Sequence, residues 1–420
     1  MSNPDNSSHP CFNEKVKGGC GRVHLPVAPK CNVLCNFCNR KFDCVNESRP
    51  GVASAVLSPV QAVTYLEKVM ERMGNITVAG IAGPGDPMAN APKTLETMAR
   101  VRKAFPDLLL CLSSNGLHLP EHVRELKRLG LTHVTITVSA VDPEVGKKIY
   151  AWVRDRKVVY RGLEGAGLIW SRQQEAISRL KENGMQVKVN SILVPGINDR
   201  HMPEIARTVA ALGADLFNLI PVFPNPGTKF ENITEPGRHE VDSLRETAGR
   251  YLPQMTHCQR CRADAVGLLD RDRSLEMAPL VRKIASQAAC PDQSRPYVAA
   301  ASREGMLVNQ HLGEARSFDI WGQKEGSYEL LEKRQASPPG GGPGRWRDLA
   351  RILGDCRAVL VNAVGESPRQ VLSSQGVQVV ETDGLVEEVL EWIYQGKDVS
   401  RLKPAGAKGC CTGGLFGGCG

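Results

Sequence analysis

The sequence predicts an α/β protein in which a partial (β/α)6 barrel is followed by a smaller mixed α/β domain. Between residues 56 and 222, apolar β-branched runs alternate with helical patterns, which is typical of βα units around a parallel sheet. After a polar stretch around 288–296 the order changes to consecutive strands, a Pro/Gly-rich loop and a mixture of helices and strands. The predicted limits are 1–289 for the barrel with its extensions, 295–400 for the second domain and 401–420 for a Gly- and Cys-rich tail.

Local signals predict the elements of the barrel in chain order. An apolar segment near 25–28 predicts a strand that enters a cysteine-rich loop. Ser58 followed by Pro59 predicts a helix start, because Ser is a favoured N-cap and Pro fits the first helical position. Parallel strands end together at one edge of such a barrel, and we expect the chemistry there. The other predicted strands are 76–82, 108–113, 133–139, 187–194 and 216–222, and the other predicted helices are 119–129, 171–182 and 201–212.

The second domain has the pattern of a mixed α/β unit. Its apolar runs are short enough for strands, and the Pro/Gly-rich stretch 338–344 predicts a loop. The predicted strands are 297–302, 317–321, 328–333, 358–363 and 377–381, and the predicted helices are 346–353 and 385–394.

Composition excludes several classes of protein. The 420 residues contain no unbroken apolar run of eighteen, and the first ten lack the basic and apolar regions of a signal peptide, so we expect a cytoplasmic protein without a membrane span. A net charge of +8 without basic runs interleaved with aromatic residues predicts no nucleic-acid binding. The fourteen cysteines are clustered in metal-ligand spacings, which favours iron–sulfur chemistry over disulfides.

Three cysteines in one short loop form the most informative motif. Cys31, Cys35 and Cys38 have the spacing C-x3-C-x2-C. Their thiolates can hold three irons of a [4Fe–4S] cluster and leave the fourth iron open. This spacing is the signature of radical S-adenosylmethionine (SAM) enzymes, in which exchangeable SAM binds the open iron. The alternative is a zinc site, although zinc sites favour paired C-x2-C elements that supply four ligands.

A glycine-rich loop follows the predicted strand 76–82. Gly83, Gly85 and Asp86 occupy the place where radical-SAM enzymes carry a motif that binds the SAM amino group, and glycine permits close backbone approach there. Asn115, just beyond another strand, is a further candidate for SAM contact. The alternative is an ordinary turn between a strand and a helix.

The residues around the cysteine motif resemble one family over about forty positions. The matching segments are 9–15 (HPCFNEK), 22–31 (RVHLPVAPKC) and 38–51 (CNRKFDCVNESRPG), which resemble the NifB family of nitrogenase-cofactor biosynthesis. Weaker signals extend the resemblance to about Cys261. It implies two further [4Fe–4S] substrate clusters beside the SAM-binding one. Their implied ligands are Cys44, Cys258 and Cys261 for one set, and Cys11, His24 and Cys111 for the remainder.

Each of these residues also has a simpler interpretation. A C-x2-C pair such as Cys258 and Cys261 occurs in zinc knuckles, Cys111 alone indicates a buried core cysteine, and His24 alone indicates a surface histidine. Glu47 is a candidate acid/base group or transient ligand, or else a salt-bridge partner of a loop cation.

The sequence departs from the family at one position near these ligands. Family members usually carry a His- and aromatic-rich stretch where this chain has VKGGCG at 16–21. Cys20 is therefore an extra thiol and an alternative ligand. The tail residues Cys410, Cys411 and Cys419 either deliver clusters or have no role.

The second domain carries a resemblance of its own. Its segment 308–315 (VNQHLGEA) resembles the NifX-type cofactor-binding domain, which implies a ribonuclease H-like fold that holds or hands on a product. The implied partners are cluster-donating proteins, cofactor carriers or scaffolds and a reductant protein.

The NifB resemblance implies a reaction in two stages. One SAM methylates a sulfide of a substrate cluster, and a second SAM yields a 5′-deoxyadenosyl radical that abstracts hydrogen from that methyl group. The carbon becomes a carbide as the two cubes and an added sulfur form an 8Fe–9S–C core. The alternatives are a peptide-maturing radical-SAM enzyme with auxiliary clusters and a non-catalytic iron–sulfur carrier.

Overall fold

The chain forms two compact units, Met1–Arg282 and Lys283–Gly420. The predicted limits 1–289 and 295–400 stay a prediction. No described helix is long and apolar enough to cross a membrane. The computed structural model describes residues 8–39, 51–286, 295–324, 327–338, 342–395 and 399–402.

The strands of the first unit are built from apolar and β-branched residues. Strands Ile76–Ile81 and Leu131–Thr137 are buried along most of their length, as expected for parallel strands that are covered on both faces. In chain order the strands are β1 (Gly21–His24), β2 (Val33–Cys35), β3 (Ile76–Ile81), β4 (Leu109–Ser114), β5 (Leu131–Thr137), β6 (Tyr150–Asp155), β7 (Val158–Tyr160), β8 (Gln186–Leu193), β9 (Leu216–Pro221) and β10 (Val266–Gly267).

Six strands of this unit form a parallel half-barrel. Their order is β1-β3-β4-β5-β8-β9, and β10 pairs antiparallel with β1 at the edge. The predicted partial (β/α)6 architecture is therefore confirmed. A separate three-stranded sheet, β2-β6-β7, was not predicted, and it pairs the cysteine loop with β6.

Helices connect the parallel strands. The first begins as predicted, because the Ser58 hydroxyl accepts a hydrogen bond from the Gln61 N–H and the Gln61 side chain accepts one from the Ser58 N–H. This capping box satisfies two amides that the first turn leaves unpaired. The helices are α1 (Pro59–Arg72), α2 (Ala91–Ala104), α3 (Val123–Arg128), α4 (Pro143–Ile149), α5 (Gly162–Glu182), α6 (Met202–Ala211), α7 (Arg238–Gly249) and α8 (Ser274–Ser286).

Two predicted boundaries in this unit were wrong. The strand before the cysteine loop is β1 rather than 25–28, because Pro26 has no N–H with which to continue the ladder. The helix predicted at 171–182 begins at Gly162, and Gly165 in its first turn has a packing role. A Cβ on Gly165 would lie 2.9 Å from the Tyr160 carbonyl oxygen.

The second unit is a five-stranded mixed sheet between helices. Its strands are β11 (Tyr297–Ala300), β12 (Ser317–Lys324), β13 (Ser327–Gln335), β14 (Cys356–Val361) and β15 (Gln378–Glu381), and its helices are α9 (Gly342–Ile352), α10 (Glu366–Ser374) and α11 (Val386–Tyr394). The order β13-β12-β11-β14-β15, with β12 antiparallel to both neighbours, agrees with the predicted ribonuclease H-like fold.

Alternation along the central strands of this sheet divides the core in two. Ala299 and Val359 belong to a cluster that contains residues of α9 and α10. Val298 and Ala358 belong to a second cluster that contains residues of α11. Both faces of the sheet are therefore covered. The helices α2, α4, α7, α8 and α10 were not predicted.

Candidate active site

One cavity of about 310 Å³ lies inside the half-barrel. Of the predicted site residues that the structure describes, Gly83 alone is absent from its wall, while Cys44 and Glu47 lie outside the described residues. The tail cysteines Cys410, Cys411 and Cys419 also lie outside them. The predicted residues that line the cavity are Cys11, His24, Cys31, Cys35, Cys38, Gly85, Asp86, Cys111, Asn115, Cys258 and Cys261.

The loop that bears Cys31, Cys35 and Cys38 is fixed from outside the barrel. Strand β2 within it pairs with β6, and the Asn36 side chain donates a 2.7 Å hydrogen bond to the Lys148 carbonyl. The Cys38 N–H donates to the Cys35 carbonyl at 3.0 Å, which closes a turn. The three thiols line the same cavity.

Gly85 brings the glycine-rich loop against the residues that precede Cys31. Its N–H donates to the Ala28 carbonyl at 2.6 Å, and the Asp86 N–H donates to the Lys30 carbonyl at 2.8 Å. A Cβ on Gly85 would lie 2.2 Å from the Lys30 carbonyl oxygen. Any other residue here would force the two loops apart.

The buried Asp86 carboxylate joins this loop to the end of β4. It accepts hydrogen bonds from the Ser114 hydroxyl at 3.0 Å, from the Asn115 N–H at 2.6 Å and from two amides of its own turn. Burial raises the pKa of Asp86. The Asn115 amide donates to the Asn32 side-chain oxygen at 2.7 Å, and its nitrogen lies 3.9 Å from the Cys31 sulfur. The predicted SAM-binding residues thus meet beside the cysteine loop.

The predicted ligand His24 has the geometry of a neutral donor. Its Nδ1 lies 3.0 Å from the Arg262 carbonyl oxygen, a contact in which the imidazole donates and Nε2 keeps its lone pair. Burial lowers the pKa of His24 to about 4, with the Arg22 charge adding to the shift. Gly80, opposite His24 in the sheet, leaves room for the ring, because a Cβ there would lie 3.1 Å from it.

Four further thiols of the cavity wall interact with one another, namely those of Cys11, Cys111, Cys258 and Cys261. Burial raises the pKa of Cys111 to about 12, and the nearby Cys11 adds to the shift. Burial also raises the pKa of Cys261, and the nearby Cys11 and Cys258 add to this shift. Cys111 and Cys261 therefore hold their protons in the absence of metal, so metal coordination would release protons.

Arg22 fixes the position of Cys261. The buried guanidinium donates to the Cys261 sulfur at 3.2 Å and to the Asp272 carboxylate at 2.6 Å. These two bonds come from Nη2 of Arg22, and Nη1 donates to the Gly267 and Leu268 carbonyls. The C-x2-C segment is therefore attached to β1, the neighbour of the edge strand β10.

The residues after Cys261 attach that segment to the chain beyond residue 50. Arg262 and Asp264 form a buried ion pair at 2.8 Å. The Asp264 carboxylate accepts a hydrogen bond from the Ser54 N–H at 2.6 Å, and the Ala263 N–H donates to the Val52 carbonyl at 2.8 Å.

Two family models match the chain. Residues 25–209 match the Radical SAM superfamily, and residues 295–396 match the dinitrogenase iron-molybdenum cofactor family. The FeMo cofactor biosynthesis protein NifB of Chlorobaculum tepidum is 49% identical over 397 residues, which cover 94% of each chain. The chain belongs to the NifB family. The NifB of Klebsiella pneumoniae is 37% identical and aligns with 89% of this chain and 86% of its own length.

Family membership confirms the resemblance to NifB and the radical-SAM assignment. Among solved structures, Streptococcus suis SuiB bound to S-adenosylmethionine has a TM-score of 0.41 and 15% identity, covering 57% of this chain and 52% of its own. The second family model agrees with the predicted NifX-like domain. The individual site residues stay predictions.

The candidate ligands that the structure describes do not form a mononuclear metal site. No three His, Cys, Asp or Glu side chains in the described ranges converge where they could hold one ion. A zinc knuckle at Cys258 and Cys261 needs four such donors, whereas cluster ligands bind different irons and stand apart. Cys20 is half-buried and is not among the residues of the cavity wall.

Several polar residues on the inner face of the half-barrel were not predicted from the sequence. Lys188 and Asn190 on β8, Thr135 on β5 and Asn218 on β9 all line the cavity. A lysine and an asparagine two residues apart in β8 were the available signal, since alternate residues share a face. The buried Asn218 Oδ1 has no hydrogen-bond partner among the described residues. Together with the thiol donors, this unsatisfied acceptor fits a cavity that binds a cofactor or substrate.

Proposed function

We propose that the chain joins two [4Fe–4S] substrate clusters, with one SAM-derived carbon and an added sulfur, into the 8Fe–9S–C precursor of the nitrogenase cofactor. The supporting observation is that two sets of candidate ligands meet in one cavity. One set is Cys31, Cys35 and Cys38, and the other combines thiols from the N-terminal segment, β4 and the C-x2-C segment with His24. A single SAM-binding cluster needs the first set alone.

The residues present fit the resident cofactor of the superfamily. Cys31, Cys35 and Cys38 would hold its [4Fe–4S] cluster, with Gly85 and Asn115 beside the exchangeable SAM. When bound, SAM and this cluster supply methyl transfer and radical hydrogen abstraction. The chain itself holds the glycine-rich loop against the cysteine loop and surrounds the site with buried side chains.

The second set of ligands would bind and release the substrate clusters. His24 is a neutral donor held by a backbone carbonyl, and imidazole binds iron more weakly than thiolate does. It can therefore give up its iron more readily when the clusters rearrange. Cys44 would complete the set with Cys258 and Cys261, and Glu47 would act as the acid/base group or transient ligand.

The second unit would hold the product or pass it to a carrier or scaffold protein. This proposal is supported by the match of residues 295–396 to the iron-molybdenum cofactor family. We infer that the reaction takes place in the cytoplasm with an external reductant protein, since none of the nine cysteines that the structure describes forms a disulfide.

A labelling experiment tests this function. The anaerobically reconstituted full-length protein is given dithionite, a sulfur source and SAM labelled in the methyl carbon, and the iron–sulfur product is separated from the protein. We expect label to accompany the iron. SAM labelled in the carboxyl carbon is the control, and iron without methyl label would contradict the proposal.

A further inference from the structure

Lys188 is a buried cation on the inner face of the half-barrel. It lies on β8, and its side chain lines the cavity together with those of Asn190 and Ile192. Lys188 is 6% exposed. Lysine is rarely buried to this degree without an anionic partner, because burial removes its charge from water.

The described neighbours of Lys188 carry no negative charge. Its ammonium nitrogen lies 3.6 Å from the Met255 sulfur and 5.3 Å from the centre of the Phe12 ring. Within the described ranges it forms no ion pair with a carboxylate. Arg22, another buried cation of this region, differs in having Asp272 at 2.6 Å.

The titratable groups that face Lys188 in the described part of the chain are histidines and a thiol, namely His9, His24, His257 and Cys111. None of these side chains is a carboxylate that could pair with the ammonium group. The described part of the cavity wall therefore presents an uncompensated positive charge beside candidate cluster ligands.

We propose that Lys188 is the counter-charge of the substrate cluster held beside Cys11, His24 and Cys111, an inference that rests on the proposed function. The sulfides and thiolates of a bound cluster place negative charge at this wall. The ammonium group compensates for it without occupying a coordination position. Lys188 is thus a positioning residue, which binds the substrate by charge and leaves its irons open to rearrangement.

The side chain is also supported in a way that suits this role. The ring of Phe12 lies in an aromatic cluster with His9 and His133, at centroid distances of 4.4 to 4.8 Å. Phe12 is next to Cys11 in the chain, so the segment that would supply a ligand also places a ring beside the lysine ammonium group. The cation and the ligand are therefore held together.

The variants Lys188→Met and Lys188→Arg test the proposal in the full chain. Methionine keeps much of the stem but removes the charge, and arginine keeps the charge. We measure iron per chain after anaerobic reconstitution, the reduction potential of the substrate cluster by redox titration with electron paramagnetic resonance, and the thermal unfolding midpoint of the metal-free protein.

We expect Lys188→Met to bind less iron than wild type and to shift the potential of its remaining substrate cluster to more negative values, because reduction adds negative charge. Lys188→Arg should resemble wild type. Metal-free Lys188→Met should unfold at the same or a higher temperature than wild type, since it no longer buries an unpaired charge.

Two results would overturn the assignment. Unchanged iron content and potential in Lys188→Met would show that the lysine only fills the wall. A lower unfolding midpoint of the metal-free variant would show a structural role. Formation of 5′-deoxyadenosine separates this failure from that of the proposed function, because it depends on the cluster at Cys31, Cys35 and Cys38. If the wild-type protein reconstitutes only the cluster at Cys31, Cys35 and Cys38, the proposed function itself is contradicted.

Discussion

At the scale of single residues, Gly85 is the position where the site leaves no space for a side chain. Its missing Cβ lets the glycine-rich loop donate hydrogen bonds to the carbonyls of Ala28 and Lys30, just before the cysteine loop. This contact between the two loops is local, and it determines where Cys31 lies relative to Asp86. A methyl group at position 85 therefore disturbs the cluster site more than the rest of the fold.

We expect Gly85→Ala to bind less iron than wild type after reconstitution and to unfold at a lower temperature, because its Cβ would clash with the Lys30 carbonyl oxygen. Iron per chain and the thermal unfolding midpoint measure the two effects. Gly74→Ala is the matched control, since its added Cβ meets nothing within 4 Å. Equal iron content in the two variants would contradict this account of the loop.

His24 differs from the other candidate ligands because it is a neutral donor, and its pKa of about 4 keeps it neutral. We expect His24→Cys to bind as much iron as wild type but to form product more slowly, since thiolate holds iron more tightly than imidazole does. Iron content and the rate of methyl-carbon transfer to the product are measured together. Cluster fusion at the wild-type rate would exclude a role for weak ligation.

At the scale of elements, the ends of the strands are fixed by side chains of the following loops. The His201 Nε2, just before α6, accepts a hydrogen bond from the Val141 N–H beyond β5 at 3.1 Å. This bond requires a neutral ring. Burial lowers the pKa of His201 below its usual value of 6.5, although Asp142 and Glu204 oppose the shift.

A folded-state pKa below the unfolded one means that the unfolded chain binds the proton more tightly. Stability from His201 is therefore present above about pH 6.5 and is lost as the pH falls. We expect the unfolding midpoint of metal-free wild type to fall more between about pH 7.5 and about pH 5.5 than that of His201→Gln, which keeps an acceptor without titrating. Parallel pH profiles of the two proteins would contradict this.

The elements also show what could be predicted from the sequence. The alternation of strands and helices predicted the half-barrel, because burial of both faces leaves a clear apolar pattern in each strand. The first turns of α5 contain several glycines, which are poor helix formers, and Gly165 is there because it packs closely against Tyr160. Cys11, His24 and Cys111 are far apart in sequence, and the family resemblance brought them together where spacing could not. The role of Lys188 was not predicted, because it depends on neighbouring residues from other elements.

At the scale of the whole molecule, the chain has two units with separate cores. If the second unit holds the product, its removal should speed release. We expect the iron–sulfur product to leave a chain truncated after Ala289 faster than it leaves the full-length protein, measured as transfer of iron and methyl-derived label to an added acceptor. Equal release rates would count against a holding role for the second unit.

The central claim is that SAM chemistry in this cavity acts on a second, separately ligated cluster. The most direct measurement assays S-adenosylhomocysteine and 5′-deoxyadenosine together from the anaerobically reconstituted protein with SAM and dithionite. We expect both products from wild type and from Cys20→Ser, whose thiol is not part of the cavity wall. S-adenosylhomocysteine should be lost when Cys44, Cys258 and Cys261 are replaced. Deoxyadenosine as the sole product of the wild type would contradict the claim and place the substrate elsewhere.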